Sequence, residues 1–177
     1  MESTCNSPII VRVFSWGLAC FLLLSGCAGG TARGPATTYL LDFSSEKQSL
    51  NPEQTQILSI AKGLLGAPYR FGGTNPKEGF DCSGYVAYVY NRAVGVSLPR
   101  QTAEQIKTGR AVLRSLRPGD IVYFKIAGPT GWHTGIYIGK GRFIHAPSAN
   151  GVVNIQEMNL PYWRKQFFGA RRVLKNS

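Results

Sequence analysis

Histidine and acid are both scarce in this chain. Its 177 residues hold two histidines, and 9 Asp+Glu stand against 20 Lys+Arg, for a formal net charge of +11. The close ligand pairs of zinc motifs are missing. So basic a surface suits an anionic polymer or a membrane surface. It would also suit nucleic acid, but no nucleic-acid-binding motif is present, so no such partner is expected. The apolar run Val13 to Leu24, broken only by Ser15 and Gly17, falls short of the roughly 20 residues a helix needs to cross a bilayer. Repeats and a disorder-like composition are missing too. The length predicts one domain.

The N-terminal run instead reads as export. Arg12, a short apolar core and then Leu24-Ser25-Gly26-Cys27 follow the order of a secretory signal. The last four residues resemble the lipobox of bacterial lipoproteins, whose cysteine is acylated and becomes the mature first residue. The resemblance implies a signal peptide over 1–27, lipidation (palmitate) at Cys27 and a lipid anchor in a membrane. Ala28 follows, with no Asp of the kind that retains many such lipoproteins on the inner membrane. The expected place is the cell envelope, at the periplasmic face of the outer membrane. The bland alternative is a soluble secreted protein with an incidental cysteine.

Cysteine is scarce in a telling way. Of four, Cys5 and Cys20 leave with the signal and Cys27 goes to lipid. Cys82 is then the one thiol left in a compartment that favours disulfides.

Residues 28–50, rich in Gly, Ala, Thr and Ser, read as a flexible tether. The domain is expected over 51–177. Asn51-Pro52-Glu53-Gln54 has the pattern of a helix start, and Ile57, Leu58, Ala61, Leu64 and Leu65 recur at helical spacing until Gly66 and Pro68. Asp81 precedes a second helix with Cys82, Tyr85, Val86 and Val89 on one face, running to about Arg92. A third, short helix is expected around Ala103 to Lys107. Strands follow at 121–125, 134–138 and 142–145, with further candidates at 152–155 and 171–174. Helices first, then strands, predicts an α+β fold with an antiparallel sheet.

A thiol attacks as the thiolate, so something must lower its pKa. With Asp81 as N-cap, Cys82 sits in the first turn, at the positive end of the helix dipole. Ser83 and Gly84 are small and leave backbone N–H groups open to an oxyanion. The base must be His133 or His145, which flank one hairpin. A three-residue loop, Gly139-Lys140-Gly141, would set His145 opposite Gly135 and put both rings on one face; a two-residue turn would put them on opposite faces. Such a hairpin supplies a base and its orienter together. The bland readings are an inert buried cysteine and structural histidines. A zinc site of Cys82, His133, His145 and water is the other rival.

These residues resemble the NlpC/P60 family of cell-wall cysteine peptidases. The resemblance rests on Pro68-Tyr69-Arg70-Phe71-Gly72-Gly73, Phe80-Asp81-Cys82-Ser83-Gly84-Tyr85-Val86, Leu98-Pro99-Arg100-Gln101-Thr102, Pro118-Gly119-Asp120-Ile121-Val122-Tyr123-Phe124, His133-Thr134-Gly135-Ile136-Tyr137-Ile138-Gly139 and Phe143-Ile144-His145-Ala146-Pro147. It covers about Ile57 to Leu174 and implies a papain-like fold.

By that resemblance Cys82 is the nucleophile, His133 the general base and His145 the residue that orients it. Tyr69 joins the oxyanion site, or is simply core. Asp81, Ser83 and Arg70 border the nucleophile and contact substrate, although Asp81 could be only a cap. Trp132 is a groove wall or packing. The implied reaction is hydrolysis of an amide in peptidoglycan stems or cross-links through an acyl-enzyme, by a monomer, with no metal or cofactor. The D-alanyl–diaminopimelate cross-link is favoured over the D-glutamyl–diaminopimelate bond. An amidase or acyltransferase on the same scaffold, or a non-catalytic wall-binding lipoprotein, are the alternatives.

Overall fold

The computed structural model describes residues 49–112, 114–128, 131–148 and 151–174. They fall within the unit Thr37–Ser177. Cys27, the signal segment and nearly all of the tether lie outside the described residues. Among the described residues no helix is long and apolar enough to cross a membrane.

Helix α1 (Pro52–Gly63) opens with the expected capping box: the Asn51 side chain accepts from the Gln54 N–H, and the Gln54 side chain accepts from the Asn51 N–H. Together these satisfy two of the N–H groups a helix start leaves bare. Gln54 also donates to the Pro118 carbonyl at 2.8 Å, tying the helix to a distant turn. Ile57, Leu58 and Ala61 face the core. The helix stops earlier than its apolar spacing suggests. Leu64 is the C-cap, and Leu65, beyond it, stands exposed.

The strands β1 (Thr74–Asn75) and β2 (Gly79–Phe80) make a small antiparallel pair in the loop that follows. Helix α2 (Cys82–Val94) starts on Asp81 and ends on Gly95, whose φ of 68° is the left-handed cap that glycine adopts without strain. Its buried face carries Tyr85, Val86, Val89 and Tyr90. Helix α3 is one turn, Thr102–Gln105.

Six strands then form an antiparallel sheet: β3 (Arg110–Val112), β4 (Ile121–Lys125), β5 (Trp132–Gly139), β6 (Arg142–His145), β7 (Asn154–Glu157) and β8 (Phe167–Arg172), with a short helix α4 (Pro161–Gln166) before the last. Their order is β3-β8-β4-β5-β6-β7. The strand at 110–112 and the helix at 161–166 were not expected from the sequence. β7 and β8 sit displaced from the 152–155 and 171–174 candidates.

Alternation along β4 explains why the sheet is buried on both faces. Ile121 and Tyr123 join the helix-side core with Ile57, Val86, Ile136 and Ile144. Val122 and Phe124 join the opposite core with Tyr137, Phe143 and Met158, covered by Trp163 and Phe167.

A buried ion pair ties the last strand to the turn before β4. Arg172 donates to both Asp120 oxygens at 2.7 Å, and Asp120 also accepts from the Arg117 N–H. Asp120→Ala would leave a buried guanidinium unpaired. Chemical denaturation should show a loss of about 3–5 kcal/mol; a loss below about 1 kcal/mol would show that water already solvates Arg172.

Candidate active site

Asp81 builds the Cys82 end of the site. Its Oδ1 accepts the Gly84 N–H at 2.7 Å, which caps α2. Its Oδ2 accepts the Gly72 N–H at 3.0 Å, which holds the loop carrying Tyr69. Arg100 then grips both oxygens, at 3.0 and 2.6 Å, and also donates to Ser83 Oγ at 2.9 Å. Three chain segments thus converge beside Cys82. Gly84 makes the convergence possible, since a Cβ there would fall 2.1 Å from the Gly73 carbonyl oxygen. One expectation changes. The Gly84 N–H is not open to an oxyanion, because the cap takes it.

Cys82 is a free cysteine, partly buried, in the first position of α2. Its Sγ lies 3.8 Å from Thr102 Oγ1. Burial pushes the thiol up, and the Asp81 carboxylate adds to that; the Thr102 hydroxyl and the N–H groups of Thr134 and Ser83 pull it down. The sequence showed the lowering influence of a helix start but not the desolvation opposing it.

His133 and His145 meet as a hydrogen-bonded pair. His133 Nε2 lies 2.6 Å from His145 Nδ1, with the rings nearly perpendicular. The way the hairpin achieves this differs from expectation. The turn is two residues, Lys140 and Gly141, both with positive φ (51° and 67°), as in the twisted turns that suit hairpins. By itself it would set the rings on opposite faces. An extra residue in β5, Ile138, shifts the register between Tyr137 and Gly139 and restores the Ile136↔Ile144 and Tyr137↔Phe143 pairing of a three-residue loop.

Trp163 covers the pair. Its ring stacks on His133 at 5.5 Å and meets His145 edge-on at 5.1 Å. Both rings are almost fully buried. Desolvation lowers their pKa values, His133 to about 3 and His145 to about 4; the neighbouring His145 adds to the first, while the Asn154 side chain opposes the second. Both imidazoles are therefore neutral at pH 7, the form a general base requires.

A cavity of about 780 Å³ joins these parts. Tyr69, Phe71, Asp81, Cys82, Ser83, Arg100, Thr102, Trp132 and His133 line it. His145 stands behind His133, outside the lining. Burial, the Cys82 sulfur and the Asp81 carboxylate all raise the Tyr69 phenol, so its hydroxyl stays protonated beside Cys82. Trp132 forms a wall, braced edge-on by Phe168 at 4.8 Å. Arg70 is not brought in. It pairs with Glu78 in the loop and does not line the cavity. Arg100 and Thr102 were not singled out as site residues, although both lie in the Leu98-Pro99-Arg100-Gln101-Thr102 motif. Trp163 carries no sequence signal of its position. Among the described residues no three His, Cys, Asp or Glu are grouped to hold a metal ion, and each imidazole already spends one nitrogen on the other.

The NlpC/P60 family profile matches residues 66–172. The murein DD-endopeptidase MepS/murein LD-carboxypeptidase of Escherichia coli (strain K12) is 41% identical over 177 residues, covering 90% of this chain and 91% of that protein. The gamma-DL-glutamyl hydrolase of Bacillus subtilis (strain 168) is 44% identical over 121 residues, 66% of this chain but 29% of that one. Among solved structures, an NlpC/P60 family protein from Bacillus cereus ATCC 10987 superposes with a TM-score of 0.63 at 35% identity, over 71% of this chain and 41% of its own.

Two measurements test the electrostatics of the site. Because the folded imidazoles titrate below the unfolded value of about 6.5, the unfolded chain binds more protons between there and pH 4. Stability is therefore complete above pH 6.5 and lost as pH falls. The melting temperature should drop from pH 6.5 to 5, and His145→Gln should flatten the slope; an equally steep slope in that variant would refute the assignment. Thr102→Val keeps the shape but removes the hydroxyl near the sulfur. Its alkylation by iodoacetamide should need higher pH than wild type, and superimposable pH profiles would show that the hydroxyl does nothing for the thiolate.

Proposed function

The chain belongs to the NlpC/P60 family, and on that premise we propose that it is a peptidoglycan endopeptidase with Cys82 as its nucleophile. The observation that carries the reading is one cavity lined by a thiol at a helix start and by a neutral imidazole whose far nitrogen is held by a second ring.

Cys82 Sγ attacks the scissile carbonyl carbon as its proton passes to His133 Nδ1, the nitrogen not committed to His145. The Cys82 N–H and the Tyr69 hydroxyl stabilise the oxyanion. The intermediate collapses, the C–N bond breaks, and His133 returns the proton to the leaving amine. Water, deprotonated by His133, then attacks the thioester carbon; the C–S bond breaks, the acid is released, and His133 returns the proton to Cys82 Sγ. Among the residues lining the cavity, Asp81, Ser83 and Arg100 offer a carboxylate, a hydroxyl and a guanidinium, and Trp132 a flat apolar wall.

The favoured bond is the D-alanyl–diaminopimelate cross-link. Support comes from a relative named as a murein DD-endopeptidase that matches over nearly its whole length, whereas the gamma-DL-glutamyl hydrolase matches over less than a third of its own. The D-glutamyl–diaminopimelate bond is the alternative. We also propose that residues 51–177 form the catalytic domain, that Cys27 is lipidated, and that a tether over 28–50 lets a monomer work from the periplasmic face of the outer membrane.

Mass spectrometry of defined muropeptides decides the function. Purified protein should convert cross-linked dimers into monomers, and Cys82→Ala and His133→Ala should each abolish this. Unchanged digestion by Cys82→Ala would sink the mechanism. Cleavage of uncross-linked stems between D-glutamate and diaminopimelate would move the assignment to the alternative bond.

A further inference from the structure

The base pair leaves one atom unaccounted for. His145 is 1% exposed, and its Nε2 is buried without a hydrogen-bond partner. Native proteins rarely leave such a group alone, because its desolvation is not compensated.

The chemistry of the site fixes what this atom must be. To take the Cys82 proton, His133 needs a bare Nδ1. A neutral imidazole carries one N–H, so the His133 proton sits on Nε2 and is donated to His145 Nδ1, 2.6 Å away. His145 Nδ1 is then an acceptor, and its own proton must be on Nε2. The buried atom is thus a donor that needs an acceptor.

Asn154 lies where that acceptor belongs. It is the residue directly opposite His145 in the β6–β7 register, and opposite residues share a face. Its amide is loosely committed: Nδ2 donates to the Val152 carbonyl at 3.0 Å, and Oδ1 accepts from Gln156 Nε2 only at 3.4 Å. A lone pair on Oδ1 remains to be used. The Asn154 side chain also opposes the desolvation that lowers the His145 pKa.

We propose that Asn154 is a positioning residue at the end of the catalytic relay: its Oδ1 accepts the His145 Nε2 proton, and this fixes both rings in the tautomer that presents a bare nitrogen to Cys82. The assignment rests on the reading of Cys82 and His133 as nucleophile and base. The order is Cys82, His133, His145, Asn154, with one proton at each nitrogen contact and no net charge at rest.

The test is nitrogen NMR of the full chain labelled with 15N-histidine, run beside muropeptide kinetics. Wild type should show His145 as the Nε2–H tautomer. Asn154→Leu, similar in size but without an acceptor, should mix the tautomers and lower kcat about tenfold or more with little change in KM, the pattern of a lost orienting partner. Asn154→Asp keeps an acceptor and should keep the tautomer and most of kcat. An Nδ1–H tautomer in wild type, or unchanged tautomers in Asn154→Leu, would overturn the proposal. Should Asn154→Leu not fold, the wild-type tautomer and the Asp variant still decide. A wild type that cleaves no muropeptide, yet shows the Nε2–H tautomer and loses it in Asn154→Leu, would sink the hydrolase reading and leave the relay standing.

Discussion

One carboxylate organises the site. Asp81 accepts from the first turn of α2, from the loop that carries Tyr69, and from Arg100 on the segment before α3. Two further bonds reinforce the junction: Gln105 donates to the Ser83 carbonyl at 3.0 Å, and the Asp81 N–H donates to the Gly73 carbonyl at 3.1 Å. An anion at a helix start is stabilised by the N–H groups there, and a guanidinium fork matches its two oxygens. The same negative charge raises the neighbouring thiol and phenol. The arrangement therefore accepts an electrostatic cost at the Cys82 thiol in exchange for geometric definition.

The second constraint is dryness. Trp163, Phe124 and Phe143 surround the imidazole pair. They exclude the water that would compete for the His133–His145 hydrogen bond, and they make charging either ring costly. A ring that rests neutral keeps one nitrogen lone pair unprotonated at neutral pH. In the proposed reaction the imidazolium would depend mainly on what lies inside the site, with the second ring hydrogen-bonded behind it.

Much of this was legible in the chain. The caps at Asn51 and Asp81 are local, with the capping side chain within three residues of its target, so spacing alone revealed them. Cys82, His133 and His145 stood out because the domain holds so few residues of those kinds. What could not be read was long-range. Leu64 and Leu65 continue the helical spacing of α1, but the chain leaves the helix there and pairs Gly66 and Ala67 with the distant Val153. The Arg70 side chain turns to Glu78 eight residues on, a choice made by a loop whose shape local propensity does not dictate. Trp163 reaches the histidines only because β8 pairs back onto β4. The thiol's desolvation exists only once the cavity walls are assembled.

The β5–β6 hairpin sets a rule for how such a chain can change over time. The one-residue bulge at Ile138 and the two-residue turn together fix the parity that turns both histidines to the same face. Removing or adding a single codon in this stretch would rotate His145 into the helix-side core, although the hairpin itself could still form. Lengthening or shortening by two would keep the parity. Descendants of this gene that keep the chemistry should therefore vary here in even steps, or compensate one slip with another.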